Sequence, residues 1–79
     1  MSQHQLKQIF IDSLGISDDT QWDTLAYRSI EQWDSVAHMQ LVGEIEDAFD
    51  IMIDTQDVID MSSYNETVRI LGKYGVEFE

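Results

Sequence analysis

The chain has 79 residues, with four Lys and Arg against sixteen Asp and Glu for a net charge of -12, which suits one small module with a modest core and no deep cleft between two layers. That charge argues against nucleic acid, whose phosphates it would repel, and against anionic membrane surfaces, and makes basic proteins the expected charged partners. At 43% hydrophobic residues the chain is too apolar for a disordered acidic tail, and having no Cys it has no disulfide or thiolate metal site, so any thiol chemistry must come from an added group.

No apolar run approaches the ~18 residues of a membrane span, and M-S-Q-H-Q-L-K-Q lacks the apolar stretch of a secretory signal. The expectation is a cytoplasmic protein with Met1 as its start and residues 1–79 as a single domain. A first helix is predicted over 2–14, where Leu6, Ile9, Phe10 and Leu14 recur at helical spacing, Ser2 caps and Gly15 stops it. Lys7, Gln8 and Asp12 fall off that stripe, and the helix reads as structural.

From 16 to 33 the periodicity fails. A loop of this length needs pins, and Ile16, Trp22, Leu25, Ile30 and Trp33 are spaced as anchors that fold it over a helical core. It delivers W-D-S-V-A-H-M-Q-L-V-G-E-I-E-D-A-F, residues 33–49, where Asp34 caps a second helix and Ser35 stands in its first turn. Stepping about 100° per residue puts Leu41, Ile45, Ala48 and Phe49 on one side with Val42 and His38 at its edge. The other side carries Ser35, Met39, Gly43 and Glu46, with Val36, Gln40 and Asp47 just beyond.

The run D-I-M-I-D over 50–54 alternates polar and apolar residues but has no partner strand, so it reads as a connection. Asp54 or Thr55 then caps a brief third helix through Asp60. Ser63 and Glu66 form a capping box, and Tyr64, Thr67, Val68, Leu71 and Tyr74 make one face of a last helix that Gly72 and Gly75 end, leaving V-E-F-E to fray. The predicted fold is all-α, a four-helix bundle with a long loop between helices 1 and 2 and a short third helix.

An Asp-Ser-aliphatic triplet at Asp34, Ser35 and Val36, opening an acidic amphipathic helix that closes in Glu-Asp-Ala-Phe-Asp-Ile, resembles the acyl carrier proteins, and the resemblance extends over nearly the whole chain. It implies that Ser35 is the attachment point for 4'-phosphopantetheine, donated from coenzyme A, whose thiol holds an acyl or aminoacyl group as a thioester. Asp34 is the adjacent motif residue. A phosphodiester on the first turn of a helix would also lie near unpaired N–H groups and the positive end of the helix dipole. Trp33 before Asp34 resembles discrete carriers of specialised pathways. Ala37 and Gln40 stand where many fatty-acid carriers have acidic residues, and Gly43 stands at an apolar position, so the docking code differs. The resemblance also implies a short, mobile third helix.

The partners it implies are a phosphopantetheinyl transferase, an acyl-activating or acyltransferase enzyme that loads the thiol, and condensing or tailoring enzymes that unload it. The carrier is expected to be a monomer. Val36, Met39, Gln40, Glu46 and Asp47 are the expected docking patch, the charges steering encounter and Met39 adapting to several partners. Glu44 and Asp50 belong to the same acidic surface, whose simplest reading is a solvated face.

An enzyme is not expected. Ser35 and His38 are three apart on a helix, yet neither a third orienting group nor an oxyanion donor pair is evident, and His38 reads as a residue of the core margin with one nitrogen hydrogen-bonded. His4 is read as exposed. No His or carboxylate pair has zinc spacing, and Asp47, Asp50, Asp54, Asp57 and Asp60 lack the alternation of a calcium loop. The competing reading is an acidic helical adaptor that binds a basic protein and carries no prosthetic group.

Overall fold

The computed structural model describes residues 3–78 and contains α1 (Gln3–Leu14), α2 (Ser35–Phe49), α3 (Thr55–Asp60) and α4 (Tyr64–Gly72). α1 buries Leu6, Phe10 and Leu14. It stops at Gly15, whose φ of +68° suits a residue without Cβ and whose N–H reaches Ile11 O at 2.9 Å. The expected Ser2 cap lies outside the described residues.

α2 starts as expected, with the Asp34 carboxylate accepting from Ala37 N at 2.9 Å. It buries Leu41, Val42, Ile45 and Phe49. Ala48, expected on the core face, is exposed, because the buried stripe is turned toward Val42 and leaves Ala48 at its far edge. The helix closes on Asp50, which takes the left-handed conformation at φ +55° and donates its N–H to Glu46 O.

The long loop is pinned by buried Leu25 and Trp33, with Ile16, Trp22 and Ile30 packed half-buried against the same core. Phe10 sits edge-on to Trp22, Trp33 and Tyr64 at centroid distances of 6.1, 5.5 and 5.3 Å, so one α1 ring ties the loop to α4. Backbone bonds from Tyr27 N to Ser62 O (2.8 Å) and Tyr64 N to Leu25 O (3.1 Å) make an isolated antiparallel bridge at Ala26 and Ser63. The 50–54 run forms no strand.

α4 is capped by Ser63 Oγ, which accepts from Glu66 N at 3.0 Å. The box is one-sided, because the Glu66 carboxylate turns to Arg69 at 2.6 Å. The buried face is Tyr64, Thr67, Ile70 and Leu71; Val68 and Tyr74 are only half-buried, and Ile70 takes the place expected of them. Thr67 Oγ donates to Ser63 O at 2.8 Å, satisfying a fully buried hydroxyl. The tail docks through 76–78: Val76 is buried and Phe78 meets Phe49 edge-on at 5.9 Å. Apolar side chains two apart after the Gly75 turn give those residues something to bury. Among the described residues no helix is long and apolar enough to cross a membrane.

Candidate functional site

Ser35 is the first residue of α2 and is exposed. The Asp34 cap fixes where the helix starts and so where this hydroxyl stands. Beside it a cavity of about 290 Å³ opens, lined by Tyr27 of the loop, Ser35, His38 and Met39 of α2, Val58 and Ile59 of α3, and Met61. A short polar side chain thus borders a mainly apolar hollow between two helices.

His38 holds the floor of that hollow. Its Nδ1 lies 3.0 Å from Trp33 Nε1 and its Nε2 lies 2.8 Å from Val58 O. An indole N–H only donates, so Nδ1 is the acceptor and the proton sits on Nε2, which donates to the carbonyl. Both nitrogens are engaged, where one was expected, and neither is left to act as a base toward Ser35. The ring is further fixed by Tyr27 at 5.4 Å and by stacking on Trp33 at 6.0 Å.

The expected docking residues divide. Val36 (77%) and Met39 (61%) stand in solvent, and Gln40 and Asp47 are exposed as well. Glu46 is half-buried, and its Oε2 accepts from Ile53 N at 2.9 Å, so this carboxylate fastens the α2–α3 connection. Glu44 is also half-buried and accepts from Ser13 Oγ of α1. The turn of the buried stripe toward Val42 brings Glu46 to the edge of the core. Sequence reasoning missed Ile59 and Met52, exposed at 66% and 86%. Ile59 adds an α3 contribution to the apolar surround of Ser35, and a six-residue helix is too short for periodicity to reveal its outward face.

The largest omission is Asp57. It is buried on α3, accepting from Lys73 Nζ at 2.7 Å and from Tyr74 OH at 2.6 Å, while the Tyr74 oxygen accepts from Asp54 N at 2.9 Å. The hydrogen bonds from Lys73 and then Tyr74 hold the Asp57 carboxyl below the usual aspartate range. The bond to Asp57 in turn raises the Lys73 ammonium and the Tyr74 phenol above theirs. Glu66 is likewise lowered by its hydrogen bond from Arg69. Lys7 lies 5.5 Å from the Trp22 ring and Arg28 lies 5.9 Å from the Tyr27 ring. Among the described residues the ion pairs are Arg69–Glu66 and Lys73–Asp57, which leaves the α2 carboxylates without a cationic partner there.

Comparison with family models, with curated proteins and with solved structures finds no match for this chain.

Proposed function

We propose that this chain is a discrete acyl- or peptidyl-type carrier protein, modified on Ser35 by phosphopantetheine, and that its bundle is of the carrier type. The observation that carries the reading is the setting of Ser35: an exposed hydroxyl on the first turn of a capped helix, bordering an apolar cavity between α2 and α3. The residues fit the group. Ser35 has open space for a transferase to approach, Val36 and Met39 offer apolar contact beside it, and the first-turn amides of α2 favour a phosphodiester oxygen.

When bound, the group supplies a thiol on a flexible arm that holds the cargo as a thioester. The protein's own residues do the rest. Ser35 Oγ would give up its proton to a base supplied by the transferase and form a phosphodiester bond to the phosphopantetheine phosphate, as the pyrophosphate bond of coenzyme A breaks and adenosine 3',5'-bisphosphate leaves. Asp34 holds the first turn in place, Val36, Met39 and Ile59 present an apolar rim to docking enzymes, and Asp47 with the rest of the acidic surface steers basic partners inward. Glu46 serves the rim indirectly by fixing Ile53.

The test is intact mass after incubation with coenzyme A and a promiscuous phosphopantetheinyl transferase. Wild type should gain the mass of one phosphopantetheinyl group, and Ser35→Ala should fold normally and gain nothing. A gain in the mutant would move the site away from Ser35. No gain in wild type would favour the acidic adaptor, for which Val36, Met39 and Ile59 are equally available as a contact surface.

A further inference from the structure

We propose that Arg28, in the long loop, binds the phosphate of the group on Ser35: its guanidinium closes over the phosphodiester oxygens and offsets the charge that modification adds beside Asp34. The inference rests on the carrier reading and adds to it a binding residue from outside α2.

Two hollows flank the start of α2. One is the apolar cavity that Ser35 borders. The other, of about 300 Å³, is lined by Arg28, Ser29, Ile30, Glu31, Trp33 and Asp34, and so ends one residue short of Ser35. Arg28 stands between them, because its guanidinium lies 5.9 Å from the ring of Tyr27, which lines the first. No other Lys or Arg lines either hollow.

The remaining cations of the chain are engaged elsewhere. Arg69 is paired with Glu66 and Lys73 with Asp57, while Lys7 is half-buried, 5.5 Å from the Trp22 ring and 5.8 Å from the Tyr64 ring. Arg28 is exposed and belongs to neither of the ion pairs found among the described residues. The carboxylates in its own hollow do not take it. Asp34 accepts from Ala37 N, and Glu31 forms no pair with it.

The backbone adds a second reason to look at this side chain. Arg28 has φ +66°, a conformation that glycine adopts freely and arginine only at a cost. The turn demands it: Arg28 N donates to Trp33 O at 3.0 Å and Trp33 N to Ile30 O at 3.3 Å, which closes the segment that seats the buried Trp33. Glycine would meet the demand more cheaply, so what arginine contributes here is its side chain. A guanidinium fork matches phosphate oxygens two at a time. The phosphodiester on Ser35 would bring a further negative charge to a chain already at -12, one residue from the hollow that holds this fork.

Wild type, Arg28→Gly and Arg28→Lys are each converted with coenzyme A and a promiscuous phosphopantetheinyl transferase, and intact mass confirms the gain. The first readout is the melting temperature before and after conversion. The change on conversion should favour wild type over Arg28→Gly by about 3 °C at low salt, and the gap should shrink at ~0.5 M salt. Arg28→Lys, which keeps the charge without the fork, should fall between them. Unconverted Arg28→Gly should melt no lower than wild type, because glycine suits the turn. The second readout is the Arg28 Nε–H signal in ¹⁵N-resolved spectra of wild type. It should shift and gain exchange protection on conversion, while that of Arg69, already bound to Glu66, stays in place. The proposal is overturned if conversion changes all three melting temperatures equally, or if the Arg28 signal moves no more than that of Arg69. Slower conversion of Arg28→Gly with both readouts unchanged would make Arg28 a contact of the transferase, which overturns it too. A wild type that gains no group removes this inference together with the carrier reading, whereas a normal gain without either readout removes this inference alone. Should Arg28→Gly not fold, Arg28→Lys and the wild-type spectra decide.

Discussion

α2 and α3 both begin after an aspartate in extended conformation, yet only the first of these aspartates caps. Asp34 accepts from Ala37 N at 2.9 Å, whereas the Asp54 side chain makes no cap bond and its backbone N–H goes to Tyr74 instead. α2 then runs for 15 residues and buries Leu41, Val42, Ile45 and Phe49, while α3 runs for six and buries only the carboxylate-bearing Asp57. One helix is specified by its own sequence and by the core. The other exists because distant residues hold it. The two line one cavity, so the site joins a wall built on apolar burial to one tied by polar bonds.

Truncating one apolar side chain on each wall gives the largest contrast. Ile45→Ala removes a side chain with no exposed surface and should cost about 3 kcal/mol of global stability. Val58→Ala, on the half-buried side of α3, should cost about 1 kcal/mol and act mainly by loosening α3. Chemical denaturation measures the first, and amide exchange resolved by residue separates the second. Equal global losses would mean that α3 is as integral to the core as α2.

A smaller effect comes from the two aspartates themselves. Asp34→Ala should lower stability by about 1 kcal/mol through loss of the cap. Asp54→Ala should leave it almost unchanged, because no side-chain bond is removed and the backbone bond to Tyr74 remains. Melting temperatures of the two variants under the same buffer settle it. A comparable loss at Asp54 would mean that its carboxylate caps α3 in solution.

What could be read in the sequence follows the same division. Asp34 with Ala37 and Ser63 with Glu66 are bonds across three residues, so residue type and spacing were enough to place both helix starts. The loop anchors were legible because Trp33 and Leu25 are large apolar residues in polar surroundings. The faces were harder: Ala48 and Ile70 sit at the borders of stripes whose rotation depends on which helix packs against them, and no periodicity contains that. Asp57 was out of reach altogether. Its partners are 16 and 17 residues away, and in a chain with sixteen acidic residues nothing local separates the buried aspartate from the solvated ones. Glu46 shows the same limit within α2, since its bond to Ile53 N is made only after the chain has turned at Asp50.

The subtlest effect is the pH dependence of α3. Asp57 is held below the usual aspartate range by Lys73 and Tyr74, so its contribution is present above the unfolded aspartate's value and is lost as the pH falls through the lowered folded value. Lys73 and Tyr74 are raised by Asp57, so their contribution is complete below their unfolded values and is lost as the pH rises through the raised folded ones. The ratio of the oxidation rates of buried Met61 and exposed Met52 in dilute hydrogen peroxide, followed by peptide mass spectrometry, should therefore be flat across neutral pH and climb at both extremes. Other charges face this cluster: Arg69 lies near Asp57, Asp54 near Tyr74 and Asp60 near Arg69. The Glu66–Arg69 pair on α4 also titrates on the acid side. Asp57→Asn separates them, because the amide cannot titrate and leaves Lys73 and Tyr74 without the partner that shifts them. In that variant the ratio should start high and lose most of its dependence on pH. An acid limb that survives undiminished would assign it to Glu66 or to the loss of surface charge as a whole, and the Asp57 carboxylate would then add nothing to the hold that His38 and Tyr74 keep on Val58 O and Asp54 N.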